Sequence, residues 1–356
     1  MKKIMFTGGG TAGHVTPNIA LIDALKDEFE ICYVGSYNGI EKELIEKKGI
    51  KYYGISSGKL RRYFDLKNFG DIFRVLKGLR QAKKLVKQEK PDVVFSKGGF
   101  VSVPVVWGAK RCKVPVLSHE SDMTPGLANK LALPAATKIC VNFPETVKYL
   151  PEGKAVVTGT PIRRELFEGD RQKGLEFCGF SGNKPVLLSV GGSTGAQALN
   201  NALHENLRQI LETFDVIHLC GKGKADESYN GLKGYVQYEY INEQLPDLFA
   251  AADVVISRAG ANAICELLAL KKPNILIPLS ANASRGDQIL NAKSFEEQHF
   301  SYVLQEEDVT PESLLKAIEH VFEHKDEYIR AMSESKAQDA TKVICDMLRE
   351  LAGGEA

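Results

Sequence analysis

One arrangement occurs twice in this chain: a short apolar run, a glycine-rich turn, then an amphipathic run. It appears as IMFTGGGTAGHVTPNIAL from Ile4 and again as VLLSVGGSTGAQALNNAL from Val186. Glycines let the backbone turn sharply off a strand into a helix, whose N-terminus offers unpaired N–H groups and partial positive charge. Each copy heads a series of short β-branched runs separated by longer helical ones. The first series is KKIMFT, EICYVGS, KYYGI, DVVFS, VPVLSH, KICVNF and AVVTG; the second is PVLLSVGG, DVIHLCG, YVQYEY, DVVISRAG and PNILIPLS. Several are continuously apolar, as strands covered on both faces are. Alternating strand and helix signals predict parallel sheets, and a pattern that restarts predicts two Rossmann-like, doubly wound α/β domains. The turn-rich TGTPIRREL at 158–166 marks the boundary. It gives domains 1–162 and 163–329, with a C-terminal helix over 330–351 returning to the first. In the first helix, Thr16 reads as an N-cap and Pro17 as the first helical position.

At 356 residues the chain is long enough for two ordinary domains, and 44% hydrophobic with 26% charged residues is an ordinary globular balance. A net charge of +1 implies no acidic partner overall. MKKIMFTGGG lacks the apolar core and cleavage site of a signal peptide, and no apolar run is long enough to span a bilayer. The seven cysteines are scattered singly, which suits small core hydrophobes in a reducing cytoplasm.

Gly8, Gly10 and Gly13 spell G-x-G-x-x-G, the dinucleotide fingerprint. A nicotinamide site also asks for an acid at the end of the second strand, to accept from the ribose hydroxyls. That strand, EICYVGS, ends in Gly35 and Ser36. Two glycine loops in two domains suit a different chemistry, with one diphosphate on each of two substrates. Ligands bind outside the C-terminal ends of such strands, so two domains facing each other across a cleft point to transfer from a sugar nucleotide to a diphosphate-bearing acceptor. The D-x-D pair common in metal-dependent sugar transfer is absent from the sequence.

Several segments, in order, resemble the MurG family of N-acetylglucosaminyltransferases: GGGTAGHVTPNIAL, SKGGFVSVPVV, HESDMTPGLANK, GTPIRREL, VGGSTGAQALN, SRAGANAICELLAL, PNILIPL and DQILNA. They run from residue 8 to 292, nearly the whole chain. The resemblance implies the two-domain GT-B architecture and a metal-independent, inverting reaction without a cofactor. It implies UDP-N-acetylglucosamine as donor, lipid I (undecaprenyl-diphosphate-linked muramoyl-pentapeptide) as acceptor, and lipid II for peptidoglycan as product.

On that resemblance the donor diphosphate meets Gly191, Gly192 and Ser193, with Arg163 as the donor-site arginine. Glu266 accepts from the ribose hydroxyls, Arg258, Gly260, Ala261 and Asn262 line the pocket, Ile241 offers backbone groups to uracil, and Gln288 bonds sugar hydroxyls. The loop Gly10, Thr11, Ala12 and Gly13 cradles the acceptor diphosphate, with Asn129 and Asp122 in the same half. His14 and Glu120 are rival general bases for the acceptor hydroxyl. The chain departs from the family at three places: Ala12 stands for a glycine, Asp122 in HESD for an asparagine, and Thr160 for the asparagine of NPVR.

Segment 59–90 is dense in lysine and arginine, with Phe69 and Phe73 one turn apart and Ile72, Leu76 and Leu79 at helical spacing. It suits an anionic membrane surface, which would place the protein peripherally on the cytoplasmic face of the bacterial cell membrane. No nucleic-acid motif accompanies the charge. The competing readings are a UDP-N-acetylglucosamine 2-epimerase, a transferase to another lipid-linked acceptor, a sugar-nucleotide-binding protein without turnover, and, most distantly, a nicotinamide-dependent oxidoreductase.

Overall fold

The apolar runs form two separate parallel sheets. The computed structural model describes residues 1–58, 67–191, 196–281, 286–335 and 339–353, the side chains of 12 and 67–72 excepted. The chain divides into one unit of Met1–Arg163 with Ala337–Ala356, and another of Arg164–Lys336.

The first unit contains strands β1 (Lys3–Thr7), β2 (Glu30–Ser36), β3 (Lys51–Ile55), β4 (Val93–Ser96), β5 (Val116–Glu120), β6 (Lys138–Val141) and β7 (Ala155–Val157). Its helices are α1 (Ala12–Leu25), α2 (Ile40–Glu46), α3 (Lys67–Glu89), α4 (Ser102–Arg111) and α5 (Leu127–Ala132). The strands pair in the order β3-β2-β1-β4-β5-β6-β7, so the winding reverses between β1 and β4. Phe6 of β1 lies opposite Tyr33 of β2 and Phe95 of β4. Alternation sends Ile4 and Phe6 to one face with Leu21, Ile22 and Leu25 of α1. Met5 and Val94 go to the other, with Ala82 and Val86 of α3 and Val105 of α4.

The second unit contains α6 (Arg171–Cys178), β8 (Val186–Val190), α7 (Gln197–Thr213), β9 (Asp215–Leu219), β10 (Tyr235–Tyr238) and α8 (Leu245–Ala251). There follow β11 (Val254–Ser257), α9 (Ala261–Ala269), β12 (Asn274–Leu276), α10 (Asp287–Glu297), β13 (Tyr302–Val303), α11 (Pro311–Glu323) and α12 (Lys325–Glu334). The sheet order is β10-β9-β8-β11-β12-β13, the same winding. Leu199, Leu203, Leu207 and Ile210 form one stripe of α7, buried with Leu314, Ile318 and Val321 of α11.

Three local expectations change. All twelve strand runs read from the sequence are present, and β13, only two residues long, is an addition. Helix α1 starts at Ala12 with Thr11 as N-cap, not at Pro17 with Thr16. The glycine turn delivers the chain straight into the helix, leaving Pro17 in its second turn. The C-terminal helical stretch is two helices: α12 belongs to the second unit, and α13 (Ala340–Leu351) to the first. Ile344, Cys345 and Leu348 of α13 join the core beside α1, and Arg349 pairs with Glu28 at 2.7 Å.

Candidate functional site

In the first unit the loops after β1, β4 and β5 all leave the C-terminal edge of the sheet around its reversal point. Gly10 has φ +90°, and Thr11 and Gly10 are exposed. The Thr11 hydroxyl pairs with His14 Nδ1 at 3.0 Å. Burial, then the nearby Lys97 charge, push the His14 imidazole down to about 4, against an upward pull from the Gly9 carbonyl and Glu41. His14 is therefore neutral at physiological pH, able to accept a proton.

The loop after β4 comes close because Gly98 and Gly99 adopt φ +97° and +85°. A Cβ at Gly99 would collide with the Gly9 carbonyl, and one at Gly98 with the Asn129 amide. Lys97, just before them, is fully buried. Its Nζ donates to the Ser121 hydroxyl and to His119 Nδ1, the latter at 2.9 Å. This leaves His119 Nε2–H to donate to the Gly159 carbonyl at 2.8 Å. Burial first, and Lys97 second, hold His119 well below the usual histidine range, hence neutral.

Glu120, the last residue of β5, is buried and engaged on both oxygens. Oε1 accepts from Asp122 N–H at 2.9 Å; Oε2 accepts from Asn129 Nδ2 at 2.7 Å and Gly126 N–H at 3.3 Å. Burial, followed by the Asp122 charge, pushes its carboxyl up to about 7. The structure thus joins Glu120, Asp122 and Asn129 in one hydrogen-bonded group, and the Lys97 charge acts on both Glu120 and His14. The Asp122 departure puts a second acid beside Glu120.

In the second unit, Gly260 is the N-cap of the nine-residue helix α9, and a Cβ there would meet open space. Ala261 is buried, whereas Asn262 and Glu266 are half-buried on the first two turns. The Arg258 guanidinium is engaged within its own unit. It donates to the Ile277 carbonyl at 3.1 Å and to Glu306, whose other oxygen accepts Ser280 N–H at 3.0 Å. Against the upward push of burial, these donors hold the Glu306 carboxyl below its usual range. Gln288 Oε1 accepts from Leu279 N–H at 3.0 Å, so it braces the chain leaving β12. Ile241 is half-buried just beyond β10. Gly191 is buried at the end of β8, while Gly192 and Ser193 lie outside the described residues. Arg163, the last residue of the first unit's main segment, has a buried Nε without a hydrogen-bond partner among the described residues.

Helix α3 presents a mixed surface. Phe73 is 72% and Leu76 49% exposed, beside exposed Arg74, Lys77, Arg80, Lys83, Lys84 and Lys87. Its buried side is Gly78, Ala82, Val86 and Glu89. Of the predicted stripe, Leu79 is half-buried and Leu76 faces solvent; Phe69 and Ile72 fall outside the described side chains, as does segment 59–66. No described helix is long and apolar enough to cross a membrane.

Three residues that hold the first unit's loops escaped the sequence reading: Glu41 in α2, Lys97 after β4 and His119 in β5. Lys97 had a signal, a lysine closing the apolar run DVVFSK before two glycines. Glu41, in GIEKELIEK, looks like any charge on an amphipathic helix.

Residues 4–141 match the glycosyltransferase family 28 N-terminal domain and residues 186–346 its C-terminal domain. A UDP-N-acetylglucosamine--N-acetylmuramyl-(pentapeptide) pyrophosphoryl-undecaprenol N-acetylglucosamine transferase from Lachnoclostridium phytofermentans is 66% identical over 352 residues, covering 99% of each chain. Its namesake from Lachnospira eligens is 63% identical over 98% of this chain and 99% of its own. The crystal structure of Acinetobacter baumannii MurG superposes with a TM-score of 0.77 at 26% identity, covering 98% of this chain and all of that one. With both family 28 domains in order on a GT-B fold, and this identity along the whole length, the chain belongs to the MurG family of N-acetylglucosaminyltransferases.

Proposed function

We infer that this protein is a hexosyltransferase moving N-acetylglucosamine from UDP-N-acetylglucosamine to the 4-hydroxyl of the muramoyl sugar of lipid I, forming lipid II for peptidoglycan. The observation that carries the reading is 66% identity over 99% of the chain to a transferase so named. The same relatives support transfer rather than 2-epimerisation.

In the proposed reaction the acceptor oxygen forms a bond to the anomeric carbon from the face opposite UDP. The bond to the β-phosphate oxygen breaks, and UDP leaves with the electron pair. The acceptor's proton goes to His14, neutral and beside the loop after β1. Diphosphate arriving at the N-terminal end of α1 adds negative charge near the imidazole, which raises its basicity as the substrate binds. Glu120 acts as a positioning residue, since its oxygens already hold Asn129 and the backbone of residues 122 and 126.

The second unit takes the donor. The N-terminus of α9 supplies oriented dipoles for the departing UDP, without a metal, Gly191 meets its diphosphate, and Glu266 accepts from the ribose. Arg163 supplies a cation whose buried Nε has a donor to offer. Arg258 shapes the pocket by bracing Glu306. The basic, partly apolar face of α3 meets anionic lipid on the cytoplasmic face of the cell membrane, where lipid I resides.

The test is UDP release from UDP-N-acetylglucosamine with and without a water-soluble lipid I analogue, with the sugars analysed in the same tubes. Release only with the analogue, together with a disaccharide product, supports the reading. An epimer formed without the analogue, or no release with it, refutes it.

A further inference from the structure

The acid missing from the end of β2 arrives from another element. Glu41 is in the first turn of α2 and is fully buried. Its Oε1 accepts from Ser36 N–H at 2.9 Å and the Ser36 hydroxyl at 2.5 Å; its Oε2 accepts from Gly10 N–H at 3.2 Å. The surrounding backbone is shaped to it. A Cβ built at Gly9, Gly35 or Gly39 would come within 3.0 Å of the Glu41 side chain.

Neighbouring bonds grip the same turn. Tyr52 donates to the Ser36 carbonyl at 2.5 Å and stacks on Tyr33 with centroids 6.0 Å apart. Tyr33 donates to the Gly8 carbonyl at 2.8 Å, and Asn18 Nδ2 donates to Tyr33 and to the Thr7 carbonyl.

A glycine loop that takes up phosphate does so through its own N–H groups. Here the Gly10 N–H is occupied by a fixed carboxylate of the protein. We propose that Glu41 is the positioning residue of the first glycine loop and decides what the loop accepts. Its carboxylate takes the place of a phosphate at Gly10 N–H, fixes the turn that delivers Thr11 and His14, and repels a second anion from that place. A G-x-G-x-x-G loop built this way does not take up a free dinucleotide or pyrophosphate, and acceptor phosphate is directed instead to the exposed end of α1. The inference rests on the acceptor role given to this loop above.

The test compares wild type, Glu41→Gln and Glu41→Ala. With the donor unit saturated by UDP, binding of inorganic pyrophosphate is measured by calorimetry. Both variants should bind it roughly tenfold or more tightly than wild type, since a repelling charge is gone. In the UDP-release assay their kcat should fall roughly tenfold or more while the KM for UDP-N-acetylglucosamine stays within about twofold. Equal pyrophosphate affinity in all three proteins overturns the proposal whatever the rates do, as does wild-type kcat in Glu41→Gln. Lost turnover with a parallel rise in donor KM also overturns it, because that is general structural damage. Glu41→Gln keeps the side-chain volume and carries the test if Glu41→Ala fails to fold. A wild type that releases no UDP with acceptor refutes the transferase reading, while the pyrophosphate measurement still judges Glu41.

Discussion

Replacing Glu120 by glutamine should change stability with a sign that depends on pH. The carboxyl is carried from its usual 4.5 to about 7 by burial and by Asp122. At about 1.4 kcal/mol per pH unit, the buried charged form is roughly 3 kcal/mol less favourable than in the unfolded chain. The unfolded chain therefore loses the proton first. The native-state advantage from this group is complete below pH 4.5 and is lost as pH rises through 7. Glutamine does not titrate, so the variant lacks this loss. It does lose one acceptor among the donors Asp122 N–H, Gly126 N–H and Asn129 Nδ2, at a cost of about 1–3 kcal/mol at every pH. The variant should be the less stable protein at pH 5 and equal or more stable at pH 8, the difference moving by roughly 3 kcal/mol between them. Urea unfolding followed by Trp107 fluorescence measures this, since the single tryptophan sits in α4 of the same unit. A difference that stays constant between the two pH values would show that Glu120 does not titrate as a buried carboxyl.

Two further outcomes follow from the site. His14→Ala should lower kcat by about 10²-fold or more while the KM for UDP-N-acetylglucosamine changes little; a near-wild-type rate removes it as the base. Converting Arg74, Lys77 and Arg80 to glutamate should abolish co-sedimentation with anionic vesicles, at ~1 kcal/mol per cation removed; retained sedimentation moves the membrane face away from α3.

The strand runs, both sheet windings and the family were legible because they depend on short-range pattern. β-branched runs, glycine turns and helical stripes constrain the backbone within a few residues of themselves. The misreadings have the same root. Thr16-Pro17 carries a genuine local signal for a helix start, yet the turn before Ala12 starts α1 earlier. The stretch 330–351 reads as one amphipathic helix, and only the competition between two cores assigns α12 to one unit and α13 to the other.

The sequence by itself therefore determined the architecture, the order of the loops and the residue types available at each. Tertiary structure alone decided their electrical state and their partners. Glu41 reaches Gly10 across 31 positions of chain, Lys97 reaches His119 across 22, and His119 reaches Gly159 across 40. Burial then pushes Glu120 up and His14 down, in opposite directions, although each by itself would titrate in its ordinary range. Desolvation and charge proximity are properties of the folded neighbourhood, set by which strands lie side by side. No spacing along the chain contains them.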